Sequence, residues 1–87
     1  MHTIHPTPYT LQELSVLVEE YITQQRSQFT LRGLCSYIVY WAMEDGRIAG
    51  HQLPEADCAR VSGILDRIVR DGRIRVQGDG EYLKLGS

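Results

Sequence analysis

The chain has 87 residues, enough for one small hydrophobic core but too few for two, since separate domains need roughly 50 residues or more each. No apolar run approaches the ~20 residues that span a bilayer. The first ten residues have neither a basic flank nor an apolar stretch, so they do not predict a secretory signal, and we expect a cytosolic protein. The formal net charge of −2 argues against strong non-specific binding to nucleic acid, which depends on neutralising phosphates.

The N-terminal part predicts an arm followed by a helix. Pro6 and Pro8 lack amide donors and favour extended neighbours, so residues 1–9 are expected to form an extended arm. Thr10 and Glu13 have the spacing of a capping box, and apolar residues then recur at helical intervals as far as Gln25. Residues 10–87 are expected to form a single domain.

The central part predicts two more helices. A short extended piece at Phe29 and Thr30 precedes a second helix of about 14 residues, which begins near Leu31 and stops at Asp45-Gly46. A linker over residues 46–53 leads to a third helix that starts at Pro54 and ends at Gly72. Its apolar stripe consists of Cys58, Val61, Ile64, Leu65 and Ile68, and its arginines Arg60, Arg67 and Arg70 project away from that stripe.

The C-terminal part alternates between apolar and polar residues and predicts a two-stranded hairpin with its turn at residues 78–80. We expect the first strand to face the core with Ile74 and Val76. On the return strand Leu83 and Leu85 would complete that apolar face. Tyr82 and Lys84, which have the other parity, would then point outward.

Residues 58–85 carry a family likeness, above all the stretch 59–74 with its final Asp71-Gly72-Arg73-Ile74. This stretch resembles the recognition helix and first wing strand of bacterial regulators in the winged helix-turn-helix superfamily. The resemblance implies an α+β fold in which three helices are closed by a two-stranded β-hairpin wing. It also implies a transcription regulator that binds double-stranded DNA through the third helix and the wing, and a homodimer formed through the first helix near Tyr21 and Ile22.

Two functional hypotheses follow. In the first, DNA is bound by basic and hydroxyl side chains of the third helix and the wing: Arg60, Ser62, Arg67, Arg73, Arg75 and Lys84. Alternatively, these cations belong to a solvated face in which Asp66 pairs with Arg70 and Arg67 with Asp71.

In the second hypothesis the module does not bind DNA and docks a protein through the linker and the second-helix aromatics Tyr37, Tyr40 and Trp41. Trp41 is expected in the core, and Tyr40 points about 100° away from it around the helix. Two departures from the DNA-reading pattern favour this hypothesis. The linker has eight residues where DNA readers have a turn of three or four, and Glu55 and Asp57 would face phosphates.

The chain predicts no catalytic, cofactor or metal site. Cys35 and Cys58 fall within apolar helical patterns and are expected to be buried free thiols. The histidines His2, His5 and His51 have no carboxylate or thiol at ligand spacing. Gly-Asp-Gly at 78–80 is a turn rather than a phosphate loop, since no helix follows it. We therefore expect no enzyme.

Overall fold

Three helices and a three-stranded antiparallel sheet make up the part of the chain that the computed structural model describes, residues 9–48 and 52–85. The elements in chain order are α1 (Leu11–Gln24), β1 (Gln28–Thr30), α2 (Leu31–Glu44), α3 (Glu55–Arg70), β2 (Ile74–Gly78) and β3 (Glu81–Lys84). The predicted α+β class is confirmed. The predicted arm at residues 1–9 lies outside the described residues except for Tyr9, and so does the middle of the linker at 46–53.

Local sequence signals fix the helix ends. The Thr10 side chain accepts from the Glu13 amide at 3.1 Å while the Glu13 carboxylate accepts from the Thr10 amide, so the capping box is present. Thr30 caps α2 by accepting from the Gly33 amide at 3.0 Å. The predicted stop of α3 is also observed, since Gly72 has a φ of 78°, a left-handed conformation that glycine adopts without steric cost.

The core lies where one face of each helix meets the sheet. Leu14 and Val18 of α1 are fully buried, as are Leu34 and Ile38 of α2. Helix α3 contributes every apolar residue of the predicted stripe except Cys58, which is half-buried. Because the core is built from α1, α2 and α3 together, the outward faces of all three helices are left to the surface.

The hairpin differs from the prediction in its register. Near the turn Gly78 pairs with Glu81, but beyond a bulge at Gln77 the pairing shifts by one residue, so that Val76 lies opposite Tyr82 and Ile74 opposite Lys84. Paired residues point to the same face of a sheet, and a one-residue slip exchanges the faces. The expectation that Leu83 and Leu85 face the core while Tyr82 and Lys84 point outward was therefore wrong.

The other edge of β3 pairs with β1, so the predicted two-stranded hairpin is part of a three-stranded sheet in the order β1-β3-β2. Tyr82 lies opposite Phe29 in this pairing and stacks on it with ring centroids 5.4 Å apart. Val76 has the predicted parity but is 53% exposed. It lies two residue pairs closer to the bulge than the buried Ile74.

The observed register predicts that substitutions at two neighbouring residues of β3 lower the stability by different amounts. Tyr82→Ala is expected to lower the free energy of unfolding by about 2 kcal/mol, because it removes a ring packed on the core. Leu83→Ala, on the opposite face, is expected to cost less than about 1 kcal/mol. Chemical denaturation followed by circular dichroism measures both. Equal costs, or a larger cost at Leu83, would contradict the observed register.

Candidate functional site

A row of aromatic rings, half-buried at one end and exposed at the other, lies on α1 and α2. Tyr37 lies 5.2 Å from Tyr21 and 6.3 Å from Trp41 between centroids, and Trp41 in turn lies 5.5 Å from Tyr40. Tyr40 is 58% exposed and Trp41 40%. Trp41 was expected in the core and is not there, because Ala42 occupies the buried position of that helical turn.

A shallow groove runs between α1 and the end of α2. Tyr9, Val16 and Leu17 line it together with the Trp41 ring, and the carboxylates of Glu13 and Asp45 lie at one end. Val16 is half exposed. We call the surface formed by Val16, Tyr37, Tyr40 and Trp41 the aromatic face.

Side chains at the acidic end of the groove hold one another in place. The Tyr9 hydroxyl donates to Asp45 Oδ2 at 2.9 Å, and burial together with this bond raises the pKa of Tyr9 to about 12. The Arg47 guanidinium lies 4.7 Å from the centroid of the Tyr9 ring and donates to both oxygens of Glu13, at 3.2 and 2.8 Å. The groove therefore has a pre-arranged end in which a ring and a carboxylate hold a cation.

The surroundings of the aromatic face are acidic. Helix α1 contains three glutamates and no basic residue, and the last two turns of α2 contain Glu44 and no basic residue. Glu20 accepts a long hydrogen bond of 3.4 Å from the Tyr37 hydroxyl. The hydrogen bond that the Thr10 amide donates to Glu13, and after it the nearby Arg47, lower the pKa of the Glu13 carboxyl. A partner would meet apolar rings with negative charge around them.

The residues predicted to contact DNA are only partly brought together. Arg60, Arg67 and Arg73 line one groove between α1 and α3, which they share with Glu19 and Asp71. Arg73 forms a bidentate ion pair with Glu19, which lowers the pKa of that carboxyl. The sequence did not predict this ion pair, because 54 positions separate the two residues.

Arg60 is exposed but is engaged with other residues of the chain. It donates to the Tyr9 carbonyl at 3.2 Å and lies 3.9 Å from the carboxylate of Asp57. Asp57 is buried, so the expectation that it would face a phosphate was wrong, whereas Glu55 is exposed as expected. Neither of the predicted pairs, Asp66 with Arg70 or Arg67 with Asp71, is among the ion pairs of residues 9–48 and 52–85.

The other predicted contacts lie elsewhere. The Lys84 ammonium is 3.1 Å from the Gln25 carbonyl and 3.5 Å from that of Thr23, where it satisfies the C-terminal end of α1. Arg75 lies opposite Leu83 on the outer face of the sheet. Ser62 is about 140° or more around α3 from Arg60 and Arg67. The six residues therefore do not form one continuous basic surface.

The residues expected at a homodimer interface are used within the fold. Ile22 is buried, and Tyr21 contacts Phe29 edge to face at 6.0 Å as well as Tyr37. Gly33 makes room for this packing, since a Cβ there would lie 2.6 Å from the Tyr21 hydroxyl oxygen. Any dimer through α1 would have to use its outward residues, such as Val16.

Cys35 and Cys58 lie together in a depression between α2 and α3, and both are free, as predicted. They are half-buried rather than buried. Burial and the neighbouring thiol of Cys58 raise the pKa of Cys35. A raised pKa lowers the thiolate fraction near neutral pH, which argues against a nucleophilic role.

The Glu19–Arg73 pair makes stability depend on pH. Because the pKa of Glu19 is lower in the folded state than its ordinary value of 4.5, the stabilisation is present above that value and is lost as the pH falls through the folded pKa. We expect Glu19→Gln to remove part of the acid sensitivity, by less than about 1 kcal/mol since the pair is half exposed. Urea denaturation at a series of pH values below about 5 measures it. Glu20→Gln, which removes a carboxylate outside any ion pair of the described residues, should leave the acid sensitivity unchanged, and an equal effect of both variants would contradict the assignment.

Two further kinds of feature are absent from the described residues. Within the described residues no group of three or more His, Cys, Asp or Glu side chains is placed to hold a metal ion, and no helix is both long and apolar enough to cross a membrane. His2, His5 and His51 lie outside the described residues. No protein-family model matches the chain, and no curated protein or solved structure is significantly similar to it.

Proposed function

We propose that this chain is a winged-helix protein-interaction module that docks a protein partner through the aromatic face. The element order α1-β1-α2-α3-β2-β3 and the sheet order β1-β3-β2 support a winged helix in which β2 and β3 form the wing. Winged helices serve both as DNA readers and as protein-binding modules. The fold alone therefore does not distinguish the two functions, and the surface residues have to.

The observation that carries the proposal is the exposure of Tyr40 and Trp41 on neighbouring positions of α2. Tryptophan and tyrosine are the residues most enriched among those that dominate binding energy at protein interfaces. Val16 adds exposed apolar surface beside them, and the groove along Trp41 gives a partner side chain a place to insert. Such a contiguous exposed apolar surface is typical of a binding site.

The basic side chains support DNA binding less well. Arg73 is bound to Glu19, Arg60 to the Tyr9 carbonyl, and Lys84 to the end of α1, so three of the five predicted cations would have to break contacts to reach phosphates. DNA binding is nevertheless the second candidate function. It is favoured by Arg67, Arg70 and Arg75, which are exposed and form no ion pair with the described residues.

Site-specific photocrosslinking tests the proposal. A benzophenone amino acid replaces Tyr40 in one variant and Val76, equally exposed on the wing, in the matched control. We expect a discrete protein adduct from position 40 and none from position 76. The adduct is identified by mass spectrometry, and the purified partner is then titrated against the wild type and Tyr40→Ala. Crosslinking from position 76 alone, or unchanged affinity of Tyr40→Ala, would overturn the proposal.

A further inference from the structure

We propose that the partner docks through a basic amphipathic segment, whose apolar side chains contact Val16 and Tyr40 and whose lysine or arginine lies over Trp41 against Asp45. This inference rests on the proposed function and names the chemistry of the partner. It is drawn from the charge that surrounds the aromatic face and from the way the groove already holds one cation.

Negative charge outweighs positive charge around the aromatic face. Four carboxylates and one guanidinium border it: Glu13, Glu20, Glu44, Asp45 and Arg47. Arg47 forms an ion pair with Glu13, with a nitrogen–oxygen distance of 2.8 Å. The other three carboxylates, Glu20, Glu44 and Asp45, are not part of this ion pair. The C-terminal end of α2 adds the negative end of a helix dipole next to Trp41. Complementary charge is what steers and selects a partner at such a rim.

The groove itself shows how a cation is held. Arg47 lies over the face of one ring, Tyr9, while its nitrogens donate to one carboxylate, Glu13. Trp41 and Asp45 repeat the same pair of groups at the same end of the groove, and Asp45 Oδ1 accepts no hydrogen bond from the described residues. Tryptophan is the strongest of the aromatic side chains in cation–π contacts. In the proposed complex, a second cation supplied by the partner lies between Trp41 and Asp45.

A second copy of this chain fits the face poorly. A symmetric dimer places the same surface against itself, so the three carboxylates outside the Arg47–Glu13 pair, Glu20, Glu44 and Asp45, would face the same three of the other copy. Like charges at an interface cost several kcal/mol unless they are separated by counter-charges, and α1 supplies none. The occupant is therefore a different protein segment, with positive charge next to its apolar residues.

A random peptide library displayed on phage tests the inference. It is panned on the wild type and, as the matched control, on Tyr40→Ala, whose fold is checked by circular dichroism. Peptides enriched on the wild type alone depend on the aromatic face. Tryptophan-free examples are synthesised and titrated while the fluorescence of Trp41, the single tryptophan of the chain, is followed at low and high salt.

We expect face-dependent peptides to be rich in lysine or arginine next to apolar residues, to shift the Trp41 emission, and to bind about tenfold more weakly to Glu44→Lys. Their affinity should fall with salt. Face-dependent peptides that are neutral or acidic, or whose binding is insensitive to salt, would overturn the inference and leave the proposed function standing. The absence of any face-dependent peptide would overturn both. A dimer detected by sedimentation in the wild type and lost in Tyr40→Ala would assign the face to a second copy instead.

Discussion

Leu65→Ala is expected to lower the free energy of unfolding by about 2 to 5 kcal/mol, the range for removing a buried leucine side chain from a packed core. Leu65 is 0% exposed in the middle of α3, where that helix packs against the rest of the core. Stabilities of small domains are about 5 to 15 kcal/mol in total, so this variant is expected to be partly unfolded at 37 °C.

Leu11→Ala is the matched control, since it removes the same atoms from a side chain that is 51% exposed. It should change the stability by less than about 1 kcal/mol. Thermal and urea denaturation of the two variants, followed by circular dichroism, measure the difference. Equal costs would show that α3 does not pack as described.

Trp41→Ala is expected to weaken partner binding about 30-fold or more, the loss that corresponds to a hot-spot residue worth about 2 kcal/mol. The ring supplies the wall of the groove and contacts both Tyr37 and Tyr40, so its loss removes the centre of the aromatic face. The partner that crosslinking identifies is purified, and calorimetric titration of the wild type and of Trp41→Ala with it gives the two affinities.

Val76→Ala is the control for that experiment, because it shortens an exposed apolar side chain on β2, away from the aromatic face. It should leave the affinity unchanged. Since Trp41 also touches other rings, a loss of stability is separated from a loss of binding by measuring the unfolding of each variant. Full affinity in a folded Trp41→Ala protein would show that the partner docks elsewhere.

The positions of the helices along the chain could be predicted because the helix ends depend on local signals. The capping box at Thr10, the cap at Thr30 and the positive φ at Gly72 are each encoded within a few residues of the helix end they fix. The burial of Tyr9 had a signal too. It directly precedes the capping box and stands five residues before Leu14, the spacing of a hydrophobic staple.

Which side chains of β3 face the core could not be predicted, because this depends on one bulge. The turn at Asp79-Gly80 alone would have placed Leu83 opposite Val76, and the extra residue Gln77 reverses that choice. The candidate site was predicted in part. The aromatic residues of α2 were identified, whereas the pairing of Arg73 with Glu19 and of Arg47 with Glu13 joins positions far apart in the chain and leaves no local pattern.

Fluorescence anisotropy of a labelled mixed-sequence DNA duplex, titrated with the protein at low and physiological salt, separates protein docking from DNA reading most directly. Arg67→Glu/Arg75→Glu is the control, since these exposed arginines form no ion pair with the described residues and their loss should not disturb the fold. A protein that docks its partner through the aromatic face should show no saturable binding at physiological salt. Saturable binding that weakens with salt and is lost in the double variant would contradict this account and make DNA the ligand.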